Sequence, residues 1–246
     1  MSAEKAMALV VRGTDWSETS RIATVFTREF GKVRGLAKGG RRLKSGFEIA
    51  FDLLSVCHVV FLKKASGGLD LFTEAQLVER FPALRRDLRA LYAGYYVAEL
   101  LADGTQDYDP HPALFDAAMD TLRSLSTDRV PALVSRFELA WLTALGYSPR
   151  LDACAVCGAG AGLADSGGRV VYGPTAGGVL CPKCQPAARD RRPVSATGFA
   201  TLEALVTGED ETTAVGTEVR SLLGFVVSGV LTRRPKMLDY LDGTGR

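Results

Sequence analysis

Cys154-Ala155-Val156-Cys157 and Cys181-Pro182-Lys183-Cys184 form two CxxC pairs, and four thiolates supplied in this way can close a tetrahedral zinc site. The interval between the pairs is 23 residues, a little beyond the ~15 to 20 usual for zinc ribbons and within reach of a short hairpin. Four thiolates complete the coordination sphere and leave no position for water or substrate. Cys154, Cys157, Cys181 and Cys184 are therefore expected to hold a structural Zn2+. Gly158 lets the chain turn beneath the metal and Pro182 stiffens the second knuckle. Two other chemistries use the same residues: a redox CxxC, which goes with a βαβ pattern absent here, and disulfides, which need an oxidising compartment. A metal-free remnant is the third alternative. Cys57, in the apolar run Val56-Cys57-His58-Val59-Val60-Phe61, reads as an inert core thiol.

A second chemistry is carried by charge. Residues 1–80 hold 13 basic against 9 acidic side chains, whereas residues 151–246 hold 10 of each, so the excess behind the net charge of +2 belongs to the N-terminal third. Lys32, Arg34, Lys38, Arg41, Arg42 and Lys44 fall in one window with no acidic residue among them. Such a concentration binds polyanions, because each neutralised phosphate releases condensed counterions. A solvated loop is the simpler account of a charge run. Gly31, Gly35, Gly39, Gly40 and Gly46, interleaved with the charges, favour close approach to a phosphate chain.

Other chemistries find little support. The chain has two histidines, His58 in an apolar strand and His111 between prolines, and neither accompanies a nucleophile motif. Walker-type, dinucleotide, GxSxG and HExxH patterns are absent. A nuclease built on acidic residues would have Glu209-Asp210-Glu211 to draw on, but that cluster reads as the charged start of a helix. No enzymatic activity is expected. No segment approaches the ~18 to 20 apolar residues of a membrane span, and Met1-Ser2-Ala3-Glu4-Lys5-Ala6 lacks a signal-peptide pattern, so a cytoplasmic location with reduced thiols is expected.

The elements that must position these groups follow from periodicity. Strands are predicted at Ala6–Arg12, Ile22–Thr27, Lys32–Ala37, Leu53–Leu62 and Leu69–Val78, from β-branched residues and glycine-bearing turns. Five short strands suggest a small barrel of the OB type, whose open face and loops hold single-stranded nucleic acid. Trp16, Phe26, Phe30, Phe47 and Phe51 flank the basic window, and one or two of them are candidates for stacking on bases. After Pro82 the apolar spacing becomes helical from Leu84 to Leu101, with further helices from Ala113 to Leu125 and from Pro131 to Ala144. A glycine-rich segment with a hairpin-like Val170–Leu180 separates the cysteine pairs, and helices resume at Ser195–Thr207 and Thr212–Leu231. The expected organisation is α+β: a five-stranded OB-type barrel (1–80), a helical domain in two parts (81–150 and 191–246), and an inserted four-cysteine zinc-ribbon-like module (151–190).

Asp15-Trp16-Ser17-Glu18-Thr19-Ser20, Val25-Phe26-Thr27, Gly31-Lys32-Val33-Arg34 and Ala37-Lys38-Gly39-Gly40-Arg41-Arg42 together resemble the N-terminal signature of the bacterial RecO family of recombination mediators. Arg136-Phe137-Glu138-Leu139-Ala140-Trp141-Leu142 with Leu145-Gly146-Tyr147, leading into Cys154, resembles the family's zinc-bearing members. The resemblance implies a non-enzymatic DNA-repair protein, nucleoid-associated in the cytoplasm. Such a protein binds single- and double-stranded DNA, anneals complementary strands and, with RecR, helps load RecA onto strands coated by single-stranded-DNA-binding protein (SSB). Lys32, Arg34, Lys38, Arg41 and Arg42 then become candidates for phosphate contact, with Lys44 in the same window. Lys63, Lys64, Arg191 and Arg192 are further candidates for holding a second strand. The alternative class is a zinc-ribbon interaction protein whose basic loop meets RNA or an acidic protein tail.

Overall fold

Small and β-branched side chains alternate inward along five N-terminal strands, and this period of two decides how the sheet closes. In the computed structural model, residues 3–40, 47, 50–64, 67–160, 163–164, 168–208 and 214–241 are described. The strands are β1 (Ala3–Asp15), β2 (Arg21–Thr27), β3 (Gly31–Ala37), β4 (Val56–Leu62) and β5 (Asp70–Glu79). Ala6, Ala8, Val10, Ala23, Val25, Val33, Ala37, Cys57, Val59, Phe61 and Phe72 fill the interior. The order is β1-β2-β3-β5-β4 with β4 returning to β1, a closed barrel in which only β3 and β5 pair in parallel. This is the expected OB-type architecture. The fourth strand begins at Val56 rather than Leu53, because Leu54 takes a left-handed φ of 63° that ends extended structure. Instead Leu54 N donates to Val10 O at 3.0 Å and Val10 N donates to Ser55 O at 2.9 Å.

Two helices complete the first compact unit, which comprises residues 1–127 and 239–246. Helix α1 (Leu88–Gly104) starts later than its apolar pattern because Leu84–Arg86 form a 3-10 turn, after which Asp87 caps the helix by accepting from Ala90 N at 2.9 Å. Helix α2 (Pro112–Ser124) carries proline in its first turn. Leu9 and Phe26 point out of the barrel yet are buried, since α1 packs on β1 and β2 and Phe115 of α2 stacks on Phe26 at 6.4 Å. Gly94 permits the close approach of α1: a Cβ there would lie 2.9 Å from Leu54 Cδ1.

The second unit, residues 128–238, holds α3 (Val130–Ala144), β6 (Val170–Gly173), β7 (Gly178–Leu180), β8 (Arg192–Val194), α4 (Ala196–Thr207) and α5 (Thr217–Val230). A last helix, α6 (Lys236–Leu241), was not expected from sequence and runs across the boundary of the two units. Helices α3, α4 and α5 pack on one another. Glu138, fully buried on α3, receives both terminal nitrogens of Arg220 from α5, and Ser135 Oγ lies 3.1 Å from Arg220 Nη1. Strand β8, also unforeseen, pairs with β6 to give a sheet of order β7-β6-β8. Its Pro193 and flanking arginines read as loop in the sequence, and proline is tolerated because β8 is an edge strand.

The barrel seam at β3 and β5 leaves no room for a side chain at Gly35, where a Cβ would sit 2.7 Å from the Phe72 ring. Gly35→Ala is expected to destabilise the protein by about 1–3 kcal/mol through overpacking. Urea unfolding measures the loss, and adding Phe72→Leu should restore part of it.

Candidate functional site

The four cysteines of the second unit come from two tight turns. Gly158, with φ of 77°, follows the first pair, and its N–H donates to Cys154 O at 2.9 Å. In the second knuckle Cys184 N and Gln185 N donate to Cys181 O at 2.9 and 3.1 Å. The strand β7 lies between them, with Ala155 N donating to Val179 O at 2.8 Å. Together these bonds bring the Sγ atoms of Cys154, Cys157, Cys181 and Cys184 within 4.8 Å of one another. Cys157 and Cys181 Sγ are 3.7 Å apart, against about 3.8 Å for two sulfurs held tetrahedrally at the usual Zn–S length. All four are free thiols that could bind a metal ion. Burial disfavours the Cys154 thiolate, yet backbone N–H groups of Cys181, Cys157 and Val156 outweigh it and bring its pKa down to about 6. Leu180 packs directly against the sulfurs of Cys154 and Cys181, edged by Leu163, Val171 and Ala176, while Val170, Tyr172 and Val179 of the adjoining strands are also buried.

Cys57 has the opposite environment. It lies wholly inside the barrel, where burial pushes its thiol up to about 12. That is the inert core thiol expected.

The basic residues predicted to contact phosphate separate into groups. Lys32 is a structural residue: its side chain is 12% exposed, and Nζ donates to Ala102 O at 3.1 Å and Thr105 O at 2.5 Å, with Asp107 Oδ1 at 3.3 Å. Its ammonium thus caps the C-terminal end of α1, where carbonyls accumulate negative partial charge. Arg34 is exposed on the outer face of β3, and Lys38 is exposed in the turn that follows, where Gly40 N donates to Ala37 O. Arg41, Arg42 and Lys44 lie outside the described residues, as does the acidic cluster Glu209-Asp210-Glu211.

Lys63 and Lys64 follow β4, and the Lys64 backbone is held by a buried carboxylate. Asp70, inside the barrel at the start of β5, accepts from Lys64 N at 2.9 Å and from the Tyr108 phenol. Burial and this acceptor raise the Tyr108 pKa, and Lys63 Nζ lies 3.8 Å above its ring. The pairing of Gly35 with Asp70 sets Arg34 beside the start of β5. Arg191 and Arg192 belong to the second unit, both exposed, with the Arg192 guanidinium stacked 4.1 Å over Phe225 of α5. His58 is exposed on β4, and His111 Nε2 lies 3.0 Å from Asp109 Oδ2 ahead of α2.

The division between capping and exposed lysines has a direct check. Lys32→Ala should cost about 2 kcal/mol, the worth of hydrogen bonds from a charged donor, read by chemical denaturation. It should leave the salt dependence of any polyanion binding unchanged, whereas removing Lys38 should flatten it.

Comparison with known proteins adds the family. The profile for the recombination protein O N-terminal domain matches residues 1–81, and that for the recombination protein O C-terminal domain matches residues 85–233. The DNA repair protein RecO of Rhodopirellula baltica is 41% identical over 181 residues, 73% of this chain and 66% of that protein. RecO of Anaeromyxobacter dehalogenans is 32% identical over 253 residues, 100% of this chain and 98% of its own length. RecO of Roseiflexus sp. is 32% identical over 243 residues, covering 96% and 83%. With a profile on each side of the junction after the barrel and relatives aligned along the full chain, the protein belongs to the RecO family of DNA repair and recombination proteins.

Proposed function

We propose that the protein is a non-enzymatic recombination mediator that binds single- and double-stranded DNA and anneals complementary strands. With RecR it helps load RecA onto DNA coated by SSB, in the cytoplasm at the nucleoid. The observation that carries this reading is an OB-type barrel that exposes Arg34 and Lys38 where the sequence continues into Arg41, Arg42 and Lys44. Annealing without sequence preference needs cations to offset the repulsion of two phosphate backbones, and base contacts weak enough for pairing to finish. One strand follows the barrel. Lys63, Lys64, Arg191 and Arg192 serve as further phosphate contacts.

Zn2+ held by Cys154, Cys157, Cys181 and Cys184 is structural in this reading. The cluster would tie the two knuckles together, structural sites being worth on the order of 10 kcal/mol. The segments 1–80, 81–150, 151–190 and 191–246 remain our proposed functional division, with the zinc module an insert between helical parts. A second reading, docking of an acidic protein tail, is favoured by a cleft of 450 Å³ in the first unit. Leu53, Leu84, Leu91 and Tyr95 line it together with Arg85, and Arg80 there is already paired with Asp52 at 3.0 Å, which leaves Arg85 as the cation for such a tail.

Two experiments test the proposal. Reversing the charges of Lys38, Arg41 and Arg42 is expected to weaken binding to every DNA sequence alike and to flatten its salt dependence. Unchanged affinity and slope would refute it, and tighter binding of acidic peptides than of DNA in the same titrations would favour the second reading. Purified protein should carry one zinc by elemental analysis. Cys154→Ser with Cys157→Ser should release the metal and destabilise the second unit, read by limited proteolysis, while DNA affinity changes little.

A further inference from the structure

We propose that Trp16 is a stacking platform for an unpaired nucleobase, at the outer end of a single-strand track on β2 and β3. The inference rests on the DNA-binding reading above and adds a residue and a strandedness to it.

Of the aromatics flanking the basic window, Phe26 and Phe51 are buried, and Phe30 and Phe47 pack against the barrel core. Trp16 alone stands out, 65% exposed at the tip of the β1–β2 hairpin. A large ring left in water forgoes the burial that usually stabilises it. The tip is no loose loop. Trp16 N and Ser17 N both donate to Ser20 O, at 3.0 and 3.2 Å, and Ser20 N donates back to Ser17 Oγ at 3.1 Å. At its base Arg21 Nε lies 3.3 Å from Asp15 Oδ1.

Strand register arranges the rest of the track. Thr14, Ile22 and Leu36 pair across three strands as the row nearest the tip, with Ile22 and Leu36 half-buried. Arg12, Thr24 and Arg34 form the next row, in which Arg12 is committed to Asp103 at 2.6 Å and Arg34 is exposed. Lys38 follows Leu36 by two residues, on the tip side of that row, and is also exposed. Further along, the face is closed where Phe26 meets Phe115 and Lys32 caps α1. The open part thus offers an aromatic ring and the Lys38 cation at its outer end, then an apolar row, then the Arg34 cation beyond it. That sequence of surfaces suits a short stretch of single strand with bases on the ring and phosphates on Arg34 and Lys38. A duplex keeps its base faces stacked on one another and leaves only the outer faces of its two end pairs open to Trp16.

The test uses the full chain, an oligothymidylate and a blunt duplex. The chain has two tryptophans, and Trp141 is 0% exposed, so quenching of the solvent-exposed emission reports on Trp16. Oligothymidylate should quench it. Trp16→Ala should weaken single-strand affinity roughly 5- to 150-fold, leave duplex affinity unchanged, and leave the salt slope unchanged because no charge is lost. Trp16→Phe should recover most of the affinity. Wild-type binding without quenching, together with equal affinity of Trp16→Ala, overturns the stacking while leaving the DNA-binding reading intact. Equal losses on single strand and duplex overturn it as well. A wild-type chain that binds neither DNA overturns both.

Discussion

Closure of the barrel hangs on a short parallel seam, three residue pairs long, between Gly35–Ala37 of β3 and Asp70–Phe72 of β5. Every other barrel pairing is antiparallel and longer. The seam works because Gly35 has no side chain to meet the Phe72 ring, and because Asp70 turns inward to hold Lys64 N and the Tyr108 phenol. A buried carboxylate is costly unless it is hydrogen-bonded, so its partners are as necessary as the strands. Through it Lys64 just after β4, the start of β5 and the segment around Tyr108 share one fixing point. The positions of Arg34 and Lys38 follow from the same seam.

The second unit solves a different problem. Its helices are joined by Glu138 and Arg220, an ion pair removed from water and completed by Ser135. Breaking one partner of such a pair is far more disruptive than the pair is stabilising, because a lone buried charge remains. The cysteine module has no such helical core. Sulfur stands where leucine would in a larger domain, and the backbone N–H groups aimed at Cys154 suit a thiolate.

Local chemistry was legible in the sequence wherever it depended on near neighbours. The strands of the barrel could be read from β-branched runs such as Ile22–Thr27, and the cysteine cluster from spacing alone. What escaped depended on partners far away in the chain. Lys32 reads as one more cation of a basic window, and only the fold brings Ala102 and Thr105 to its ammonium. Asp70, Tyr108 and Arg220 were silent for the same reason. Strand β8 was hidden by its proline, and α6 by its brevity. The five aromatics near the basic window could not be sorted by type, since a ring facing the core and a ring facing water have the same sequence signature.

The small sheet of the cysteine module has one more property, set at its two borders. On the β7 side, Arg150 bridges to Gly178 and exchanges hydrogen bonds with Gly177 and Val179, so that border is already occupied. On the β8 side, Pro193 has no N–H to offer and Arg191 and Arg192 stand exposed. Open sheet borders recruit strands from other chains, and proline and like charges are what discourage it. With one border occupied and the other blunted, the sheet of the cysteine module offers little purchase to strands of other chains.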